Sequence, residues 1–265
     1  MKNHSIKNDK RGGTLKIALQ LCVVLGLIVS SIGSASTQED DTYRLRFDLS
    51  PVWQTVNRVQ IPTPGGTRFD FTSLGRGPAW NYRIDGVWRV GERSQIRALY
   101  APLSLRVTGV LGSNVSFQDQ VFSGSAQTEG LYRFNSYRLT YRYRLTQSER
   151  LSLWLGFTGK IRDAEIRLTQ GSISASRDNV GFVPLLHLYT TYFFSNSFRV
   201  VLEADALAAP QGRAEDVALL LGWRVHPHGE LFLGYRTVEG GADGGGKVYN
   251  FAWLHYAVLG VGVSF

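Results

Sequence analysis

The chain has 265 residues, with 29 lysines and arginines against 21 acids and a net charge of +8. Five of those bases and one acid fall before residue 36, so the remainder carries 24 bases against 20 acids, too nearly balanced for a nucleic-acid-binding protein. Cys22, the one cysteine, also lies in that first segment, which excludes disulfides, thiolate catalysis and cysteine metal sites from residues 36–265.

The first element is an export signal. Lys2, Lys7, Lys10, Arg11 and Lys16 precede the apolar run IALQLCVVLGLIVSSIG, and Gly33 and Ala35 supply small residues for cleavage between Ala35 and Ser36. The run is short for a membrane span. Bulky Leu21 beside Cys22, with most of the apolar run following it, argues against a lipoprotein. Two regions are expected: a signal peptide over 1–35 and a single domain over 36–265.

After Ser36 the apolar residues recur at every second position, the period of a strand. YRLRFDLSPVW (43–53) sets Tyr43, Leu45, Phe47, Leu49, Pro51 and Trp53 on one face against Arg44, Arg46, Asp48 and Ser50. WNYRIDGVWRV (80–90) and SYRLTYRYRL (136–145) repeat the scheme, as do FRVVLEADAL (198–207) and DVALLLGWRV (216–225). Ten strands are expected, at about 43–54, 79–90, 94–105, 131–145, 150–162, 180–194, 198–208, 215–225, 230–238 and 249–265. Short breaks (GER, TQSE, SNS, HPHG) alternate with longer ones at 55–78, 106–130, 163–179, 209–214 and 239–248. That alternation fits an up-and-down antiparallel transmembrane barrel with tight periplasmic turns and longer external loops. Eight or twelve strands follow if VSFQDQVF or AEIRLTQ is misassigned, since both could extend hairpins beyond the membrane. Trp80 and Trp88 share a face and would stand roughly 20 Å apart in height, the spacing of two interfacial aromatic girdles.

The last strand, AVLGVGVSF, alternates Leu259, Val261, Val263 and Phe265 with small Gly260, Gly262 and Ser264. It resembles the terminal strand of small bacterial outer-membrane β-barrels, an aromatic-ended signal presented to the barrel-assembly machinery. Pieces such as YRFNSYRLTYRY and APQGRAEDVALLL resemble an uncharacterised group of these barrels, which implies no activity. The resemblance implies an all-β barrel exported to the bacterial outer membrane, monomeric, in contact with lipid and lipopolysaccharide, with no nucleic-acid partner. The small inward residues of the last strand would leave space for large neighbours.

With the apolar face outward, the lumen receives Arg44, Arg46, Asp48, Arg83, Asp85, Arg89, Arg97, Arg138, Arg142, Arg144, Lys160, Arg162, His187, Arg199, Glu203, Asp205, Asp216, Arg224 and Arg236. A ten-stranded barrel is only slightly wider than one that side chains fill. These charges are therefore expected to form a plug of ion pairs, the alternative being a narrow path for small or anionic solutes. Of the 24 bases after Ser36, only Lys160 and Lys247 are lysine, and arginine suits buried bidentate pairs.

A surface hydrolase at the external rim, like the omptin-type proteases or the lipid-A-modifying barrels, is the rival reading. It would draw on Asp163, Glu165, Asp178, Asp205 and Asp216, with His255 as the one available histidine; His255 falls on the lipid face, so a bulge is expected near it. No catalytic set, cofactor site or metal site is assigned. His187 reads as a hydrogen-bonded filler, His226 and His228 as a solvated turn, and GGADGGGK as a flexible loop without the Lys-Ser/Thr pair of a phosphate loop. Pro102 and Pro184 lie within strands, where a donor is lost, and mark irregularities of the wall. Arg58, Arg68 and Arg76 would meet lipopolysaccharide phosphates from the first external loop.

Overall fold

A computed structural model describes residues 41–265. The expected signal peptide, its cleavage site and the start of the 36–265 domain lie outside the described residues. Fourteen strands form: β1 (Tyr43–Gln60), β2 (Phe69–Asp70), β3 (Ala79–Gly91), β4 (Ser94–Ala101), β5 (Ser104–Val110), β6 (Val115–Phe117), β7 (Gln120–Phe122), β8 (Gln127–Gln147), β9 (Leu151–Gln170), β10 (Ile173–Phe193), β11 (Phe198–Ala209), β12 (Gly212–His226), β13 (Gly229–Asp243) and β14 (Tyr249–Ser264). Ten of them make the wall, each antiparallel to its neighbours in the order β1-β3-β4-β8-β9-β10-β11-β12-β13-β14. β5 continues β4 along the edge of β8 after a break at Pro102 and Leu103.

The sheet closes on itself. β1 pairs with β14 from Arg44↔Ser264 to Gln60↔Tyr249, and Tyr43 and Phe265 exchange backbone hydrogen bonds of 2.8 and 3.0 Å at the seam. Closure removes the edge strands that hydrocarbon cannot tolerate. The outward face carries a band of large apolar side chains, among them Trp80, Leu139, Phe157, Phe182, Leu233 and Leu259, each at least 60 % exposed. Tyr43 stacks on Trp88 and leans on Phe265 near one end of this band. Leu259 and Phe265 face outward as expected, whereas Val263 between them is covered, at 6 % exposure.

The external hairpins differ from the expected loops. Residues 163–179 are strand, not loop: β9 and β10 pair continuously from Leu151↔Tyr192 to Gln170↔Ile173 around a two-residue turn. Ile166 and Leu168 of the extension are buried in the core, while the β10 half, SASRDNV, is polar and largely exposed and carries no apolar stripe. VSFQDQVF folds as the β6–β7 hairpin, whose turn residues Gln118 and Asp119 have φ of 49° and 61°. The expected bulge near His255 lies on the partner strand, where β1 shifts register between Gln54 and Val56. His255 itself stays on the outward face, its ring 2.8 Å from Thr55 Oγ1.

Above the apolar band, the first loop and the β6–β7 hairpin pack into an aromatic cap. Phe71, Phe117 and Phe122 are wholly buried, with Phe69 against Phe71 and Phe117 at 5.5 and 6.2 Å and Phe71 against Tyr132 of β8 at 6.3 Å. Gly130 of β8 makes the contact possible, because a Cβ there would sit 2.6 Å from the Phe71 ring. Gln170 ties the cap to β9 by donating to Ser123 O at 2.9 Å and Thr128 Oγ1 at 2.6 Å. Phe117→Ala is expected to remove about 3–5 kcal/mol of local stability. Trypsin should then cut the first loop at Arg68 and Arg76 while the barrel keeps its heat-modifiable gel mobility; an uncut loop would count against the cap as a packed unit.

Candidate functional site

The barrel interior is crossed by one ion-pair network, built where inward positions of nine wall strands meet. Arg97 of β4 is its hub: its guanidinium reaches Asp85 at 2.5 Å, Glu203 at 2.7 Å and Asp205 at 3.4 Å. β4 and β11 stand four strands apart around a ring of ten, so this pair spans the lumen. Asp216 of β12 is the complementary anion, holding Arg236 at 2.5 Å, Arg138 at 2.7 Å and Arg83 at 3.2 Å. Arg138 also binds Asp205 at 2.7 Å, and Arg46 joins Glu203 and Asp48 at 3.3 and 3.2 Å. His187 Nδ1 lies 2.9 Å from Asp205 Oδ1, which accepts a further bond from Thr158 at 2.7 Å. All of these side chains are buried except Arg46, which is half-buried. Charges this deeply desolvated persist only when paired.

Nearer the end with the short turns, Arg199 grips Glu230 with two donors, one at 2.6 Å. Gly222 leaves room for that carboxylate, since a Cβ would lie 2.2 Å from Glu230 Oε1. Arg142 donates to Gln95 at 2.8 Å and stacks on Tyr189 at 4.1 Å; Arg44 lies over the same ring at 5.9 Å, and Arg144 over Trp154 at 5.2 Å. The free space among these groups is about 30 Å³, room for a water or two. Arg89 and Arg224 are half-buried at the rim beside the short turns. The space beside Gly260 and Gly262 is filled by Asp48 and Phe232, and Arg46 and Arg199 in turn face the Phe232 ring at 5.4 and 5.7 Å.

On the external side of the network the lumen widens into a vestibule of about 460 Å³. Its floor holds Arg138, Asp205, Asp216 and Lys160; Leu185, Leu207, Ala214, Val238, Ala252 and Leu254 wall it, with Tyr132 and Phe134. Burial pushes the Tyr132 phenol, above the apolar band, up to about 12, so it stays protonated. Arg162 opens onto the same space and donates to Asn179. Sequence reasoning placed Lys160 and Arg162 in the lumen but missed the vestibule itself, because its other walls are small or aliphatic residues without a signature.

The rim does not assemble a hydrolytic set among the described residues. Asp163 and Glu165 pair with Arg133 at 3.3 and 2.9 Å. Asp205 and Asp216, expected at the rim, are instead locked in the network at 2 and 3 % exposure, because their strands continue outward past them. The His187–Asp205 pair is sealed there too. His228 Nδ1 meets Ser264 O at 2.9 Å, and no cluster of three metal-ligating side chains occurs among the described residues.

No family model matches this sequence, and no curated protein matches it either. Among solved structures it is similar to the outer membrane protease OmpT from Escherichia coli, with a TM-score of 0.51 and 10 % identity over 89 % of this chain and 99 % of that one. Ail, the attachment invasion locus protein of Yersinia pestis, aligns with a TM-score of 0.39 and 10 % identity over 84 % of this chain and 99 % of that one. Neisserial surface protein A aligns at 0.37 and 14 % identity over 88 % and 100 %. The chain has the fold of the outer-membrane β-barrels: all-β, antiparallel, closed with ten strands.

Proposed function

We propose that this protein is a non-enzymatic, monomeric barrel of the bacterial outer membrane, a structural element with a sealed lumen that conducts no solutes. Arg97, bridging Asp85 on one wall to Glu203 and Asp205 on the far wall, carries this reading: a solute would have to break several desolvated ion pairs to pass. The outward apolar band would face lipid, and Arg58, Arg68 and Arg76 at the external end would meet lipopolysaccharide phosphates. Leu259, Val261, Val263 and Phe265 would be read by the barrel-assembly machinery during insertion. The rival hydrolase loses support because the rim carboxylates Asp163 and Glu165 are engaged by Arg133. Reconstituted into planar bilayers, the purified protein is expected to give no single-channel steps above lipid background. Steps that persist after repurification, with anion selectivity, would establish the narrow pore instead.

A further inference from the structure

Lys160 differs from every other charge on the vestibule floor. It is 3 % exposed, and no carboxylate lies within ion-pair distance of its ammonium among the described residues. Its close neighbour is the face of the Phe134 ring, 4.7 Å away. The two carboxylates that share the floor are committed elsewhere, Asp216 to three arginines and Asp205 to Arg97, Arg138 and His187. A buried amine without a counter-ion, aimed into a cavity of small-molecule size, is an incomplete site: a carboxylate bound beside it would supply the partner that its charged form lacks.

The wall beside it is also incomplete. β10 pairs with β11 only from Phe193↔Arg199 up to Leu186↔Ala206. Beyond that rung β10 runs on to Ile173, paired in the sheet with β9 alone, while β11 ends three residues later at Ala209. Pro184 lies on this unpaired edge, where it has no N–H to offer a neighbour. The vestibule reaches the resulting notch, since Phe182, Val183 and Pro184 line it from one side and Leu207 and Ala209 from the other. Leu186 stands seven residues above the periplasmic end of β10. At about 3.3 Å rise and roughly 40° tilt this is ~18 Å, inside an apolar band ~25 Å tall. The notch therefore begins at the depth of the outer leaflet.

We infer that the vestibule binds an amphipathic monoanion, a carboxylate whose apolar tail lies along Leu185, Leu207, Val238 and Leu254 while its head pairs with Lys160, and that lipid-borne ligands enter through the β10–β11 notch. Lys160 is the amine at the foot of the vestibule and would take one carboxylate; Arg162, higher in the wall, is occupied by the side-chain amide of Asn179, and the arginine forks of the network are committed to Asp205 and Asp216. The inference goes beyond the sealed barrel and survives if that reading fails, because conductance and ligand binding are read separately.

The test uses the full chain, refolded into phosphatidylcholine nanodiscs, with 4-phenylbutyrate as a water-borne probe and dodecanoate as a membrane-borne one. Saturable binding of phenylbutyrate is expected, with a preference of at least about tenfold over 4-phenylbutanol. Lys160→Met should weaken it about tenfold or more, Lys160→Arg should keep it within about threefold, and Ala214→Trp should block the cavity from another wall. Dodecanoate should compete, with the same dependence on Lys160. Heat-modifiable mobility checks that each variant is folded. Equal affinity for acid and alcohol, unchanged binding by Lys160→Met, or no saturable binding to the folded wild type would overturn the site. Failure of dodecanoate to compete would overturn the lateral entry.

Discussion

Arg97→Met is expected to destabilise the folded barrel by about 3–5 kcal/mol, because it strands Asp85 in the interior and takes a partner from Glu203 and Asp205, rather than merely removing one favourable contact. Arg97 is 1 % exposed and is the one cation shared by Asp85, Glu203 and Asp205. Taking it away leaves Asp85 without its closest partner and weakens the hold on both carboxylates of β11. The measurement is the urea midpoint for unfolding from short-chain phosphatidylcholine vesicles. Arg106→Met is the control: Arg106 pairs with Glu129 at 3.3 Å, but both side chains are more than half exposed, and such pairs contribute at most about 1 kcal/mol. Adding Asp85→Asn to Arg97→Met should restore part of the loss, since it removes the charge left unpaired. A coupling of about 0.5–3 kcal/mol is expected from residues in one network. If Arg97→Met and Arg106→Met shift the midpoint equally, the interior network is not what holds the barrel closed.

The contrast between Arg97 and Arg106 also shows what a sequence can and cannot disclose. Both are arginines in alternating strands, and period two places Arg97 inward beside Ile96 and Ala98 without reference to structure. Its three partners are another matter. They sit on β3 and β11, and which side chain of β11 faces which of β4 depends on how far the strands stagger around the barrel, a quantity set by closure and not by any local pattern. The wall strands were legible because one face had to be apolar. The outer part of β10 was not, since SASRDN (174–179) is polar on both faces, and the short alternation of Ala164, Ile166 and Leu168 in β9 showed only that a hairpin could extend. The β6–β7 hairpin was visible only as a possibility, being two three-residue strands whose order comes from Phe117 packing against Phe69, which in turn leans on Phe71. Lys160 could be assigned to the interior from its place in β9. Its isolation could not, because it follows from Asp205 and Asp216 being drawn away by arginines of other strands.

Asp216→Asn reverses the sign of the charge left behind and should therefore respond to a different remedy. Asp216 takes Arg236, Arg138 and Arg83 on its two oxygens, so the amide leaves three guanidiniums with a weak, partly donating neighbour in place of an anion. A loss of about 3–5 kcal/mol is expected, as for Arg97→Met. The two variants part company when an anion is supplied. Sulfate, with oxygens placed for guanidinium forks, can enter from the vestibule that Asp216 lines and stand in for the missing carboxylate. A site filled at ten times its dissociation constant returns about 1.4 kcal/mol to the folded state. Sulfate is thus expected to raise the urea midpoint of Asp216→Asn, measured against fluoride at matched ionic strength so that screening is held constant. Arg97→Met, whose stranded group is a carboxylate, should gain nothing from sulfate, and wild type little. Equal sulfate responses in all three proteins would mean that Asp216 is not the counter-ion of an arginine cluster open to the vestibule.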